Sequence, residues 1–315
     1  MLAVVLRLGI ADEVGDGAVP LADLAARLGA GPTDLRRLLR AAIAVGLFQE
    51  EPPGWVRNSP ASSLLRADAP GGLRDEARHV LSTWTRIAWS GLEHSVRTGR
   101  SGFVHATGRS VFEFLRDDPG EAAVFHAFQA EVARRNVPAL LAARCLPTSG
   151  TVVDVGGGDG TLLASMLKAA PDLRGTLFDL PEVIARAGQT PRPELGDRLR
   201  LAAGDFFGEV PAGADAYLLS HVLHDWPDPR AAQILQRVAA AASPASGVLV
   251  IENVRPAAGT SLLLAYLDVQ MLAAWEGRER TLEEYRNLLD RADLTLTDSR
   301  VVDARAGLSV LTAML

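Results

Sequence analysis

The sequence is short of cysteine, of long apolar runs and of excess positive charge, and each shortage excludes a class of protein. A single cysteine, Cys145, excludes an internal disulfide framework and is typical of a reducing compartment. No apolar run is long enough to span a membrane, and no signal-peptide pattern follows Met1, so we expect a cytoplasmic protein. The net charge of −6 argues against general binding to nucleic acid or anionic membranes.

The first hundred residues predict a winged-helix arrangement. Residues 1–10 form an apolar helical pattern without a capping residue, so we expect a further segment upstream of it. Two helical patterns at residues 21–28 and 35–43 flank a Gly-Pro turn, and a hairpin-like stretch follows at residues 49–58. Such a module binds DNA in some proteins. Residues 1–100 contain 12 arginines and 11 acidic residues and show no basic stripe. We therefore predict a packing or dimerisation module.

From residue 151 onward, strands and helices alternate. Residues 70–145 before it are helical in pattern, and their histidines lack the spacing of metal ligands, so no metal is expected. The alternation predicts a mostly parallel sheet covered by helices, a Rossmann-like α/β fold. Two final β-rich runs, 294–302 and 308–315, are joined too tightly for a parallel crossover and should pair antiparallel. We therefore divide the chain into a winged-helix domain (1–90), a helical linker contributing to a pocket (91–147) and an α/β domain (148–315).

A glycine-rich stretch, Thr-Val-Val-Asp-Val-Gly-Gly-Gly-Asp-Gly at residues 151–160, marks a candidate nucleotide site. The dinucleotide fingerprint fails, because its last position falls on Thr161 or Leu163. The spacing of Asp154, Gly156 and Gly158 resembles instead the first motif of class I S-adenosylmethionine (SAM) methyltransferases. Glycines at this turn let the backbone approach a ligand, and the following helix start favours an electron-rich group.

Two acidic residues follow the next two predicted strands. Asp179 lies 23 residues after Gly156, where a carboxylate can accept both hydroxyls of an adenosine ribose. Asp205 and Phe206 follow the third strand and offer an acceptor for the adenine amino group and an aromatic face beside the ring. A solvated loop acid and a plain turn are the alternatives.

The run Leu-Ser-His-Val-Leu-His-Asp-Trp-Pro-Asp at residues 219–228 follows the fourth strand, at the sheet edge where α/β sites are built. A neutral histidine there can take a proton from a substrate hydroxyl. Glu252, at the end of the next strand, or Glu279, in a Gly-Arg-Glu-Arg-Thr run, can hold its second ring nitrogen.

Taken together, these five ordered motifs resemble the plant-type small-molecule O-methyltransferases, which include caffeate and flavonoid enzymes and bacterial relatives that decorate antibiotics. The resemblance implies that His224 is the general base, that Glu252 and Glu279 flank it, and that Asp225 positions the substrate. It also implies cofactor contacts at Gly156, Asp179, Asp205, Phe206 and Ser220, with Arg134 as a candidate for the cofactor carboxylate. A homodimer is the family's usual assembly.

The sequence therefore predicts a SAM-dependent O-methyltransferase acting on a phenolic hydroxyl of a small aromatic, polyketide-like natural product. The alternatives are a SAM-binding member that hydroxylates or decarboxylates instead, and a winged-helix DNA-binding regulator. The plant enzymes carry lysine at the position of Ser220, and the stretch 273–277 resembles a shortened loop. Candidate substrate contacts are Phe125, His126, Gln129, Met271 and Trp275.

Overall fold

A computed structural model describes all residues, Met1–Leu315, and divides the chain into two units. The first unit consists of Met1–Arg86 with Pro119–Phe128, and the second consists of Ile87–Asp118 with Gln129–Leu315. No helix in either unit combines the length and the apolar character needed to cross a lipid bilayer.

The first unit has the predicted helix–turn–helix and hairpin. Its elements are α1 (Leu2–Arg7), α2 (Ile10–Val14), β1 (Ala18–Pro20), α3 (Leu21–Arg27), α4 (Pro32–Ala44), β2 (Phe48–Glu50), β3 (Trp55–Asn58), α5 (Pro60–Ser63) and α6 (Arg74–Val80). The single helix predicted over residues 1–10 is wrong, because Gly9 adopts a left-handed conformation with φ 64° and separates α1 from α2. A short strand that we did not predict, β1, pairs antiparallel with β3, which also pairs with β2.

The stretch 70–145 is helical as predicted and forms several separate helices. Beyond α6 these are α7 (Thr83–Ser90), α8 (Leu92–Thr98), α9 (Gly102–Thr107), α10 (Val111–Asp117) and α11 (Pro119–Ala142). Gly99 and Gly108 end α8 and α9 in left-handed conformations, and Ser101 and Ser110 cap the helices that follow.

The second unit contains the predicted sheet. Its strands are β4 (Ser149–Val155), β5 (Asp172–Asp179), β6 (Leu199–Ala203), β7 (Ala216–Ser220), β8 (Gly247–Asn253), β9 (Thr295–Asp303) and β10 (Leu308–Met314). They lie in the order β6-β5-β4-β7-β8-β10-β9, with parallel pairs from β6 to β8. Strand β10 pairs antiparallel with both β8 and β9, which confirms the prediction for the tail.

The α-helices that follow β4 in this unit are α12 (Thr161–Ala169), α13 (Pro181–Ala187), α14 (Asp228–Ala241), α15 (Leu262–Trp275) and α16 (Leu282–Asp290). The sheet has two apolar faces covered by α12, α13, α14 and α16, whereas α15 packs on α8 and α9. Val153 and Val155 pack on the face covered by α14 and α16, whereas Val152 packs on the face covered by α12. The loop predicted at 273–277 is wrong in its first part, because residues 273–275 form the last turn of α15. The carboxyl ends of the parallel strands meet at one edge, which carries the candidate site.

Candidate active site

The glycine turn between β4 and α12 requires its glycines. Gly156, Gly158 and Gly160 all have φ between 61° and 76°, in the left-handed region that other residues rarely adopt. A Cβ atom on Gly156 would also lie 3.0 Å from a methyl carbon of Val222. The turn therefore lies directly against the residues that follow β7.

Asp179 lies at the end of β5, beside this turn. Its Oδ2 accepts a hydrogen bond from the Gly158 N–H at 2.8 Å, and its Oδ1 accepts one from the Leu180 N–H at 2.7 Å. Burial raises the pKa of Asp179, and these two N–H donors oppose the shift. The structure thus places the predicted acid in contact with the predicted glycine turn.

The ends of β6 and β7 bring three further predicted residues to the same edge. The Gly204 N–H donates to the Asp179 carbonyl at 2.9 Å, so Asp205 follows directly after a contact with β5. A Cβ on Gly156 would lie 3.4 Å from the ring of Phe206. Ser220 ends β7, and its Oγ lies 3.3 Å from Nδ1 of His221.

Asp154 and Arg134 lie in different surroundings from these residues. Asp154 is 1% exposed, and a Cβ on Gly157 would lie 2.5 Å from its carboxyl carbon, so the acid lies directly beneath the turn. Neither of its oxygens has a hydrogen-bond partner, and burial, aided by the charges of Asp179 and Asp159, raises the pKa of Asp154 to about 7. Arg134 lies on α11 and forms an ion pair with Glu131 at 2.9 Å.

His224 lies in a short 3₁₀ turn, Leu223–Asp225, and three carboxylates surround its ring. Its Nδ1 lies 3.0 Å from Oε1 of Glu279 and 3.7 Å from Oε2 of Glu252. Its Nε2 lies 3.5 Å from Oδ1 of Asp225. His224 is only 8% exposed, and the side chains of both glutamates are fully buried. All four predicted catalytic residues are thus brought together.

Glu252 also contacts the main chain of this turn. Its Oε1 accepts hydrogen bonds from the N–H groups of Val222 at 3.2 Å and Leu223 at 2.9 Å, while its Oε2 faces the imidazole. One carboxylate therefore contributes both to the position of the turn and to the charge beside the ring.

Burial and charge act in opposite directions on His224. Burial alone disfavours the imidazolium, but Glu252, Glu279 and Asp225 together raise the pKa of His224 to about 10. Burial raises the pKa of Glu252 to about 7 and that of Asp225 to about 6, although the charge of His224 opposes both shifts. The three carboxylates therefore favour the imidazolium form of His224, whereas burial opposes it.

Three residues of this site were missed by the sequence analysis. His221 adopts φ 53°, and burial, with a smaller contribution from His224, lowers its pKa to about 3. The rings of His221 and His224 lie 5.7 Å apart. Gly277 and Arg280 flank Glu279 and contact the turn of His224, as described below. Their only signal in the sequence is the Gly-Arg-Glu-Arg-Thr run, of which we had singled out Glu279.

The predicted substrate contacts divide between the two units. Phe125 and His126 belong to the first unit, with ring centroids 5.3 Å apart. Gln129, Met271 and Trp275 belong to the second unit, the last two on α15. In that unit Phe112, which we had not included, lies 6.1 Å from Trp226 and 6.2 Å from Trp275 between ring centroids. The assignment of the five residues to a substrate stays a prediction.

Comparison with known proteins identifies the family. A model of the O-methyltransferase domain matches residues 89–294, and a model of the O-methyltransferase dimerisation domain matches residues 1–68. The chain belongs to the O-methyltransferase family. This confirms the resemblance inferred from the five motifs.

Relatives and solved structures agree with this result. The phenazine O-methyltransferase PhzM of Lysobacter antibioticus is 37% identical over 99% of this chain and 91% of its own length. The structure of the mitomycin 7-O-methyltransferase MmcR has a TM-score of 0.92 and 33% identity, covering 99% of this chain and 92% of that one. The neocarzinostatin-biosynthesis O-methyltransferase NcsB1, solved with SAM and 2-hydroxy-5-methyl naphthoic acid, has a TM-score of 0.87 and 33% identity, covering 99% and 94%.

The protein is therefore a SAM-dependent O-methyltransferase. The residues at the sheet edge fit this cofactor. The positive φ of Gly156 favours glycine, the Asp179 carboxylate bonds the turn at Gly158, and the apolar ring of Phe206 lies near the turn.

Proposed function

We propose that the protein methylates a phenolic hydroxyl of a small aromatic natural product, with His224 as the general base. The observation that carries the proposal is the buried cluster in which Glu279 lies 3.0 Å from Nδ1 of His224. A carboxylate at one ring nitrogen fixes the tautomer and stabilises the imidazolium, which leaves Nε2 to take the proton.

The chain's own residues perform three tasks in this mechanism. His224 Nε2 accepts the proton of the acceptor hydroxyl, Glu279 and Glu252 stabilise the charge that results, and Asp225, 3.5 Å from Nε2, positions the hydroxyl. Bound SAM supplies a methyl group on a sulfonium. General base catalysis typically contributes roughly 10²–10⁴-fold, and the alignment of acceptor oxygen and methyl group contributes much of the rest.

The protonation of His224 gives this proposal a pH dependence. The surrounding carboxylates raise the pKa of His224, and only the neutral imidazole can accept a proton. Activity should therefore rise with pH along an acid limb that reports the loss of this proton. With SAM bound, the positive charge of the sulfonium near the cluster should lower the pKa of His224. The acid limb of activity in the SAM-bound enzyme should therefore lie at lower pH than the pKa of His224 in the free protein.

We propose the following cofactor contacts from their position at the sheet edge. Asp179 binds the ribose, Asp205 binds the adenine amino group, and Phe206 packs on the ring. The remaining proposed contacts are Gly156 and Gly158 of the turn, with Ser220 and Arg134 toward the methionine part, while Asp154 of β4 supports the turn from beneath. Of these, Asp179 already accepts a hydrogen bond from Gly158, and a Cβ on Gly156 would lie 3.4 Å from the Phe206 ring.

The relatives support a proposal for the methyl acceptor and for the oligomeric state. NcsB1 binds a naphthoic acid and PhzM is named for phenazines, so we infer a fused or single aromatic ring carrying a hydroxyl. The proposed substrate contacts stay Phe125 and His126 of the first unit and, separately, Gln129, Met271 and Trp275 of the second. Because the dimerisation model covers residues 1–68, we propose a homodimer built on the winged-helix domain (1–90), with 91–147 as linker and 148–315 as the SAM domain.

The test uses the His224→Ala variant with a panel of phenols and matched aromatic amines. We expect SAM to bind the variant normally in calorimetry, while release of S-adenosylhomocysteine falls by at least about 10²-fold. His105→Ala, at an exposed histidine of α9, is the matched control and should keep wild-type turnover. Full activity of His224→Ala would exclude His224 as the base, and turnover of amines alone would exclude the phenolic acceptor.

A further inference from the structure

Arg280 is a fully buried arginine that forms hydrogen bonds with the main chain on both sides of His224. Its Nη1 donates to the Leu223 carbonyl at 2.8 Å, and its Nη2 donates to the Trp226 carbonyl at 2.7 Å. Its side chain has no exposed surface. A guanidinium offers several N–H donors in a rigid fork, so this one side chain can fix two carbonyls that bracket the His224 turn.

The remaining donors of Arg280 connect the turn to the start of α14. Both Nε and Nη2 donate to Oδ1 of Asp228, at 3.0 and 2.9 Å. The other oxygen of Asp228 accepts from Nη2 of Arg278 at 2.7 Å. A buried cation needs such pairing, and here the pairing is made by groups that also hold the turn.

The main chain next to Arg280 contacts the same turn. The Arg278 N–H donates to the His224 carbonyl at 2.9 Å. At Gly277 the approach is so close that a Cβ would lie 2.0 Å from the His224 carbonyl oxygen. Gly277 and Arg278 thus contact the His224 carbonyl, Arg280 bonds the carbonyls of Leu223 and Trp226 on either side, and Glu279 contacts the ring.

Arg280 also supplies positive charge beside the buried carboxylates. Burial raises the pKa of Glu252, and the charge of Arg280 is one of the influences that oppose this. Loss of that charge would therefore favour a proton on Glu252, and by the same electrostatic reasoning the imidazolium of the neighbouring His224.

We propose that Arg280 is a positioning residue for methyl transfer: it holds the main chain around His224 and its charge offsets the carboxylates that surround the imidazole. The proposal rests on the proposed function, because it presupposes that His224 is the base. Arg280 has no contact with the reacting atoms, so its effect should appear in kcat and in the pH profile rather than in cofactor affinity.

Two variants separate geometry from charge. Arg280→Lys keeps the charge but loses the fork, and we expect kcat to fall about tenfold or more with the acid limb unmoved, since a misplaced base costs rate steeply. Arg280→Met loses both, and we expect a similar or larger fall in kcat together with an acid limb moved to higher pH, because removal of a cation raises the pKa of His224. The Kd for SAM should stay at the wild-type value in both.

Arg198 provides the matched control. Arg198 also donates to main-chain carbonyls, those of Leu167 and Ala170 at 2.6 and 3.2 Å. It directly precedes β6, near the start of β5, and so lies at the sheet edge far from Asp179. Arg198→Lys and Arg198→Met should lower the melting temperature without moving the acid limb.

Three results would overturn the proposal: wild-type kcat in folded Arg280→Met, an acid limb unmoved in Arg280→Met, or losses of kcat that merely follow the loss of melting temperature seen in the Arg198 variants. If Arg280→Met does not fold, Arg280→Lys alone tests the proposal. Wild-type kcat in Arg280→Lys would show that the guanidinium hydrogen bonds to the turn are not needed for activity. An active His224→Ala would instead refute the proposed function, so the two failures are distinguishable.

Discussion

Replacing Glu279 with glutamine removes one of three negative charges around His224 while keeping the shape of the side chain. The change acts at the shortest contact of the cluster, the 3.0 Å between Glu279 Oε1 and His224 Nδ1. Two unit charges about 4 Å apart interact by roughly 4 kcal/mol at an effective dielectric constant of about 20. At about 1.4 kcal/mol per pKa unit, this corresponds to a shift of about three units.

The observed shift should be smaller than this limit, because Glu252 and Asp225 remain and share the proton. We expect the pKa of His224 to fall by about one to two units, which moves the acid limb of kcat to lower pH by the same amount. Above the limb, kcat should fall at least about tenfold, since the imidazolium formed by proton transfer loses its closest partner.

The assay is the initial rate of S-adenosylhomocysteine release across pH values on both sides of the wild-type limb, with saturating SAM and acceptor. Glu283→Gln is the matched control, because Glu283 is exposed and pairs only with Arg286 on the surface of α16; its limb should not move. An acid limb of Glu279→Gln that stays in place, or that moves to higher pH while SAM binds normally, would refute this electrostatic account of the cluster.

Two further variants test the cofactor edge and the contact at the turn. Asp179→Ala removes the acceptor of the Gly158 and Leu180 N–H bonds, so we expect the Kd for SAM in calorimetry to rise about 10- to 100-fold, and an unchanged Kd would contradict the proposed ribose site. Gly277→Ala places a Cβ 2.0 Å from the His224 carbonyl oxygen, so the turn must move, and we expect kcat to fall about 10²-fold at unchanged Kd for SAM. Wild-type kcat in Gly277→Ala would show that the close contact is unimportant.

The sheet and the general location of the site could be predicted because their signals are local. β-branched runs followed by glycine or acid mark the strand ends, and parallel strands bring those ends to one edge. This placed Gly156, Asp179 and His224 correctly at the carboxyl edge of β4, β5 and β7. The helix boundaries were harder, since Gly9 fits an apolar helical pattern in the sequence but adopts a left-handed conformation in the chain.

Asp154 shows a different limit of sequence reasoning. Its position in the motif predicts a cofactor contact, but the alternation of side chains along β4 directs it into the apolar layer beneath the turn. There its carboxyl has no hydrogen-bond partner and a raised pKa. A motif position thus indicates which loop a residue supports, but only the packing decides whether the side chain faces a ligand.

Arg280 could not be assigned from sequence because its partners are distant along the chain. A run of arginines and glutamate in a loop normally indicates a solvated segment. Burial of Arg280 becomes favourable only when Leu223, Trp226 and Asp228, more than fifty residues earlier, present two carbonyls and a carboxylate to one guanidinium. Glu279, between the two arginines, then has to enter the site because its neighbours are fixed on the main chain of His224. In this chain the segment 277–280 therefore contacts both the ring and the backbone around the proposed base, so substitutions of Gly277, Glu279 or Arg280 should lower kcat.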